Sequence, residues 1–154
     1  GLGTASLCPR VQPTCVELSD RAFAYLTANL KRYSRQNGCA VQADICTMPV
    51  PPDRYAALLS NPPYIPTGEL SGLMQEVQQE PVMALDGSAD GLEFYRVIAA
   101  RWLSCLRSGG LCAVEVGAGQ AEAVEALFAK AGLTGLMRVR DAAGIERVVA
   151  GFRP

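Results

Sequence analysis

Four consecutive residues, Asn61-Pro62-Pro63-Tyr64, carry the densest chemistry in the chain. They follow the apolar run Leu58-Leu59-Ser60, which reads as the end of a buried strand, and the carboxyl ends of strands are where open α/β sheets bind ligands. Neither proline has an N–H to continue a ladder, and each fixes its own φ and restricts the residue before it. A stiff loop should result, presenting backbone carbonyls between an amide side chain and an aromatic ring. The plain alternative is a turn carrying an ordinary exposed tyrosine. A second set comes earlier. Glu17 ends a short β-rich run, and an acid at a strand tip suits two-point recognition of ribose hydroxyls, although an acid near a helix start is also common for dipole reasons. Asp44 and Ile45 follow the next strand pattern and would lie beside Glu17 if the two strands are parallel neighbours. There they could hold an adenine ring by one polar and one apolar contact, or Asp44 could simply cap a local turn.

The chain has no histidine, which removes Ser/His and Cys/His nucleophilic chemistry and leaves a cofactor-driven reaction as the simplest enzyme reading. Its six cysteines form no CxxC pair, which argues against a zinc site and for inert reduced thiols, several of them in apolar strand or helix patterns. With 154 residues, 49% of them hydrophobic, and a net charge of −1, the composition is that of one globular domain with a real core. The near-neutral balance argues against a general nucleic-acid binder. No apolar run reaches the length of about 18 residues needed to span a membrane and no leader pattern is visible, so the expected compartment is the cytoplasm.

The elements that must position these residues follow in order. Gly1 to Cys8 reads as the last turns of a helix ended by Pro9, and Thr14 to Leu18 as a strand. Ser19 is a good N-cap and Asp20 a good first-turn acid for a helix with Phe23, Leu26, Leu30 and Tyr33 at helical spacing, closed by Asn37-Gly38. Cys39 to Ala43 is the next strand. After Tyr64, the connection from Ile65 to Asp90 is long enough to be functional and is expected to fold over the Asn61 loop and shape an entrance. A helix is expected from Leu92 to Arg107, stopped by Ser108-Gly109-Gly110, then a strand from Leu111 to Val116 and a helix bearing Val124, Leu127, Phe128 and Ala131. Leu136 to Arg140 and Arg147 to Phe152 read as a closing antiparallel hairpin on an otherwise parallel sheet.

Asn-Pro-Pro-Tyr resembles the signature of amino-methyltransferases, which methylate an NH₂ group with S-adenosylmethionine. Further blocks narrow the likeness: Val16-Glu17-Leu18-Ser19, Ser60 to Ile65, Glu80-Pro81-Val82-Met83-Ala84-Leu85-Asp86-Gly87, Asp90 to Arg96, Gly109-Gly110-Leu111, Glu115-Val116-Gly117 with Gln120, and Asp141 with Gly144 and Arg147-Val148-Val149. Together they resemble the catalytic domain of the HemK-type release-factor glutamine methyltransferases over nearly the whole chain. The resemblance implies a Rossmann-like class I methyltransferase sheet, mostly parallel with the C-terminal hairpin, with residues 1–154 forming a single catalytic domain. It implies methyl transfer from S-adenosyl-L-methionine to the side-chain amide nitrogen of the glutamine in the Gly-Gly-Gln motif of peptide chain release factors. Carried over by residue, Asn61 and Pro62 would accept the two amide hydrogens, Pro63 and Tyr64 would line the pocket, Glu17 would hold the ribose, and Asp44, Ile45 and Asn61 would border the cofactor. Family members usually carry Asp where this chain has Glu17. The family's glycine-rich loop should lie roughly twenty residues before that acid, so Gly1 to Gly3 align with the helix after the loop, and the first strand, the loop and an N-terminal docking domain are expected to be missing. Two other readings stand beside this one: an adenine-N6 methyltransferase of nucleic acid, which uses the same motif on a flipped base, and a non-catalytic remnant serving as a binding module.

Overall fold

The structure is a computed structural model that describes residues 3, 7, 8, 10–33 and 38–154. The helical turns expected over Gly1 to Cys8 fall largely outside the described residues, as does Asn37, assigned to close the first helix. The chain divides into two compact units, Gly1–Pro49 and Val50–Pro154.

In the first unit, strand β1 (Thr14–Glu17) and strand β2 (Cys39–Gln42) pair in parallel, with Glu17 opposite Gln42. Helix α1 (Asp20–Tyr33) joins them. Its start is built as the sequence indicates: Ser19 Oγ accepts the Ala22 N–H at 3.3 Å and the Ser19 carbonyl accepts the Phe23 N–H at 2.8 Å. Leu30 is buried and Phe23 and Leu26 are half-buried, whereas Tyr33 is exposed with the Arg32 guanidinium over its ring. The apolar stripe thus stops one turn short of the helix end.

The second unit holds a four-stranded sheet in the order β3-β4-β6-β5, made of β3 (Tyr55–Ser60), β4 (Leu106–Glu115), β5 (Thr134–Arg140) and β6 (Glu146–Phe152). β3 and β4 are parallel, and β6 runs antiparallel to both β4 and β5. Within that unit the closing hairpin of the sequence reading is present, and its second strand is the inner one. A short helical turn α2 (Val82–Leu85) and helix α3 (Glu93–Val97) precede β4, and helix α4 (Ala121–Lys130) links β4 to β5. Val124 and Phe128 on α4 are fully buried with Val114 and Val149 of the sheet, and Gly132, at φ +93°, ends the helix.

One boundary differs from expectation. The helix assigned to Leu92–Arg107 ends at Cys105: α3 passes into a π turn (Ile98–Trp102) and a 3₁₀ turn (Leu103–Cys105), and β4 begins at Leu106. The wider turn re-phases the helix so that Ile98, Trp102 and Leu103 all reach the core. Ser108-Gly109-Gly110, expected to stop a helix, is instead an irregularity inside β4. Tyr55 pairs with Leu106, yet Ala57 pairs with Leu111, and the intervening loop is pinned by Gly109 N–H to the Arg153 carbonyl (2.8 Å) and Arg153 N–H to the Gly110 carbonyl (2.9 Å). The Arg153 side chain also reaches Asp53 and the Leu106 carbonyl. No helix among the described residues is long and apolar enough to cross a membrane.

Candidate functional site

β3 carries Asn61 to the carboxyl end of its strand, where Ser60 pairs with Val114 of β4. Both strands therefore open at the same end, β3 into Asn61-Pro62-Pro63-Tyr64 and β4 into Val116-Gly117. Asn61 is exposed, Pro62 is buried, and Pro63 and Tyr64 are half-buried. Among the described residues the Asn61 carboxamide makes no hydrogen bond, so its oxygen is available to a ligand. Had it turned into the interior, the chemistry implied by the motif would have no place to act.

The far side of the corner is held at two successive residues. Gln120 Nε2 donates to the Tyr64 carbonyl at 2.9 Å, while Gln120 Oε1 accepts the Gly117 N–H at 3.0 Å. Ile65 donates its N–H to the Leu85 carbonyl (3.0 Å) and accepts the Gly87 N–H (2.8 Å), forming a parallel bridge with Asp86. Asp86 Oδ1 in turn accepts the Thr67 hydroxyl at 2.7 Å and the Ser88 N–H at 2.9 Å. The Ala84-Leu85-Asp86-Gly87 block is thus a strap alongside the exit of the proline corner. This is the part of the long connection that meets the expectation of folding against the loop. The remainder forms 3₁₀ turns at Thr67–Gly72 and Val77–Gln79, with Met74, Val82 and Met83 exposed.

Packing at the corner is too close for ordinary side chains. A Cβ on Gly87 would lie 2.8 Å from Tyr64 Cα, one on Gly91 would lie 2.3 Å from the Tyr64 carbonyl oxygen, and one on Gly117 would lie 2.7 Å from Gln120 Oε1. Below it, the fully buried Tyr95 donates its hydroxyl to the Glu115 carbonyl at 2.9 Å. Burial, with smaller contributions from Tyr64 and Glu115, pushes the Tyr95 phenol well above its ordinary value. Asp90 accepts the Leu92 N–H at 3.1 Å and pairs with Arg96, which holds its carboxyl below the usual range and fixes the start of α3.

Substituting Tyr95 with phenylalanine should lower the unfolding free energy of the whole protein by about 1–2 kcal/mol at neutral pH, by removing the hydrogen bond from this buried phenol to the Glu115 carbonyl. The raised folded-state value means that the phenol's contribution is intact below about pH 10 and is lost as the pH climbs through that value. The gap between wild type and Tyr95→Phe should therefore narrow above about pH 10 in urea denaturation.

In the first unit, Glu17 and Asp44 stand at the same carboxyl end of the parallel pair, with the Ala43 N–H bonded to the Glu17 carbonyl at 3.1 Å. Glu17 Oε1 accepts the Ser19 N–H at 2.8 Å, and among the described residues Oε2 has no partner. Asp44 Oδ1 accepts the Cys46 N–H at 2.8 Å, and the Asp44 carbonyl accepts the N–H groups of Thr47 and Met48. Asp44 thus caps a local turn, the structural role weighed for it, with Ile45 half-buried inside that turn. A carboxylate at one strand tip, with an oxygen uncommitted, has the acceptor capacity that a ribose diol requires. No group of three or more His, Cys, Asp or Glu side chains among the described residues could hold a metal.

Sequence reasoning assigned no part in the site to Gln120, Gly91 or Tyr95. The spacing Glu115-Val116-Gly117 to Gln120 was the available signal, but the partner of Gln120 lies 56 residues away in the chain.

The strand arrangement is that of the class I S-adenosylmethionine-dependent methyltransferase fold. A methyltransferase from Pyrococcus furiosus superposes with TM-score 0.69 at 15% identity, covering 97% of this chain and 66% of that one. The protein-(glutamine-N5) methyltransferase (release factor-specific) from Alicyclobacillus acidocaldarius superposes with TM-score 0.52 at 23% identity, covering 98% and 86%. Within this class the chain resembles the release factor glutamine methyltransferases along nearly its whole length, as its motifs indicate. The relative from Gloeobacter violaceus is 40% identical over 153 residues, which is 98% of this chain and 54% of that protein. The chain spans about half the length of the curated relatives it matches. No family model matches it.

Proposed function

We propose that this chain is the catalytic part of a protein-glutamine N5-methyltransferase whose substrate is the Gly-Gly-Gln glutamine of a peptide chain release factor, with residues 1–154 acting as one catalytic domain. The observation that carries the reading is the solvent-facing Asn61 at the carboxyl end of β3, on a proline corner anchored at Tyr64 and Ile65. A carboxamide nitrogen is a weak nucleophile because its lone pair is delocalised into the carbonyl. Asn61 Oδ1 and the Pro62 carbonyl accept its two N–H bonds, which orients the nitrogen and raises its electron density without removing a proton first. Tyr64 offers a flat face to the planar group and Pro63 keeps the backbone from yielding. Glu17 holds the ribose of S-adenosyl-L-methionine, and Asp44 with Ile45 borders the adenine. When bound, that cofactor supplies an electrophilic methyl group on a sulfonium sulfur. No basic group of the corner is needed before attack, and the surplus proton of the methylated amide leaves to solvent afterwards.

The test is transfer of radiolabelled methyl groups by the whole protein to a release factor, to the same factor with its Gly-Gly-Gln glutamine replaced, and to adenine-containing DNA. Label is expected on the first alone. Label on DNA and not on the release factor would reverse the reading.

A further inference from the structure

We propose that Gln120 is a positioning residue for the Asn61 corner, acting through the Tyr64 carbonyl and not through contact with substrate. This rests on the function proposed above and assigns that site a further part. Pro62 and Pro63 have no N–H, so the corner cannot be tied down by its own backbone donors between Asn61 and Tyr64. Between those two residues anchoring falls to carbonyls, and a carbonyl needs a donor from elsewhere in the fold. Gln120 Nε2 supplies one to Tyr64.

The same carboxamide is itself fixed. Its oxygen accepts the Gly117 N–H at 3.0 Å, its backbone N–H bonds the Gly117 carbonyl at 3.1 Å, and its carbonyl accepts the Val124 N–H at 3.1 Å, at the entry to α4. Gln120 therefore ties the exit of β4 to the exit of β3. The amide donates to Tyr64 and accepts from Gly117 at once; a carboxylate in its place has no donor and a thioether has almost no capacity for either. Gly91 and Gly117 add an independent sign that the contact is shaped. Side chains at either would strike the Gln120 amide, at 2.5 Å and 2.7 Å respectively. Because two proline rings stiffen the link between the Tyr64 carbonyl and the acceptors on Asn61 and Pro62, loosening the anchor swings both acceptors together, and a displacement near 1 Å at a reacting group can cost about a hundredfold in rate.

The experiment compares Gln120→Glu and Gln120→Met in the whole protein, with release factor as substrate, reading kcat, the KM for S-adenosylmethionine, the melting temperature and a crystal structure of each variant. The expected result is a fall in kcat of about 10- to 100-fold in both, with cofactor KM within about twofold and the Asn61 side chain displaced. Unchanged kcat with Asn61 unmoved overturns the proposal. So does a loss of kcat that only tracks a matching fall in melting temperature and cofactor affinity, since that marks a structural role. If the wild type labels no release factor while the variants' corner is displaced, the functional reading fails and the positioning role stands.

Discussion

Asn61→Ala is expected to lower kcat by about two to three orders of magnitude while leaving the affinity for S-adenosylmethionine within about twofold. The magnitude is that of losing one preorganised hydrogen bond to a reacting group. Asn61 is exposed and its carboxamide makes no hydrogen bond among the described residues, so truncation breaks no internal contact that would unfold the corner. The loss should therefore fall on turnover, which separates an acceptor for the reacting amide from a residue that merely binds. Steady-state kinetics with release factor, together with calorimetry for the cofactor, check both halves. Equal turnover in the variant would remove Asn61 from the chemistry.

Gly91→Ala should destabilise the protein by about 3 kcal/mol or more, the sum of a left-handed backbone strain and an overpacked contact. Gly91 sits at φ +73°, and its added Cβ would lie 2.3 Å from the Tyr64 carbonyl oxygen and 2.5 Å from Gln120 Nε2. Neither neighbour is the free end of a flexible chain. The carbonyl belongs to the proline corner and the amide is bonded on both sides, so the backbone itself must give way. Gly119 is the internal control: its φ is +82°, but nothing lies within 4 Å of an added Cβ. Gly119→Ala should cost only the backbone part, about 1 kcal/mol. Chemical denaturation of both variants reads the difference, and similar losses for the two would show that the crowding at Tyr64 relaxes freely.

Much of the scaffold could be read from local chemistry. Ser19 announced the start of α1, and Asp141 to Gly144 marked the closing turn, in which Asp141 Oδ1 takes the N–H groups of both Ala143 and Ile145. The stop at Asn61 followed from two prolines that cannot donate. Boundaries set by distant partners were not legible. The end of the helix before β4 depends on a π turn that re-phases its buried face, and Gly109-Gly110 become a bulge because Arg153 closes over them. Glu17 and Asp44 could be placed on neighbouring strand tips, since parallel pairing was a fair inference from strand, helix, strand. Gln120 could be noticed but not interpreted, because its meaning depends on a carbonyl brought to it by the whole sheet.

The order β3-β4-β6-β5 places the latest-synthesised strand inside the sheet, between two that emerge before it. β4 and β5 share no ladder of their own, so until translation has passed Phe152 each waits with an open edge. This sheet cannot be completed progressively from its beginning; it closes in one late event, when a single inserted segment satisfies both neighbours. Chains halted before that point would expose two unsatisfied edges and the apolar faces beside them, a natural target for holding chaperones and for aggregation.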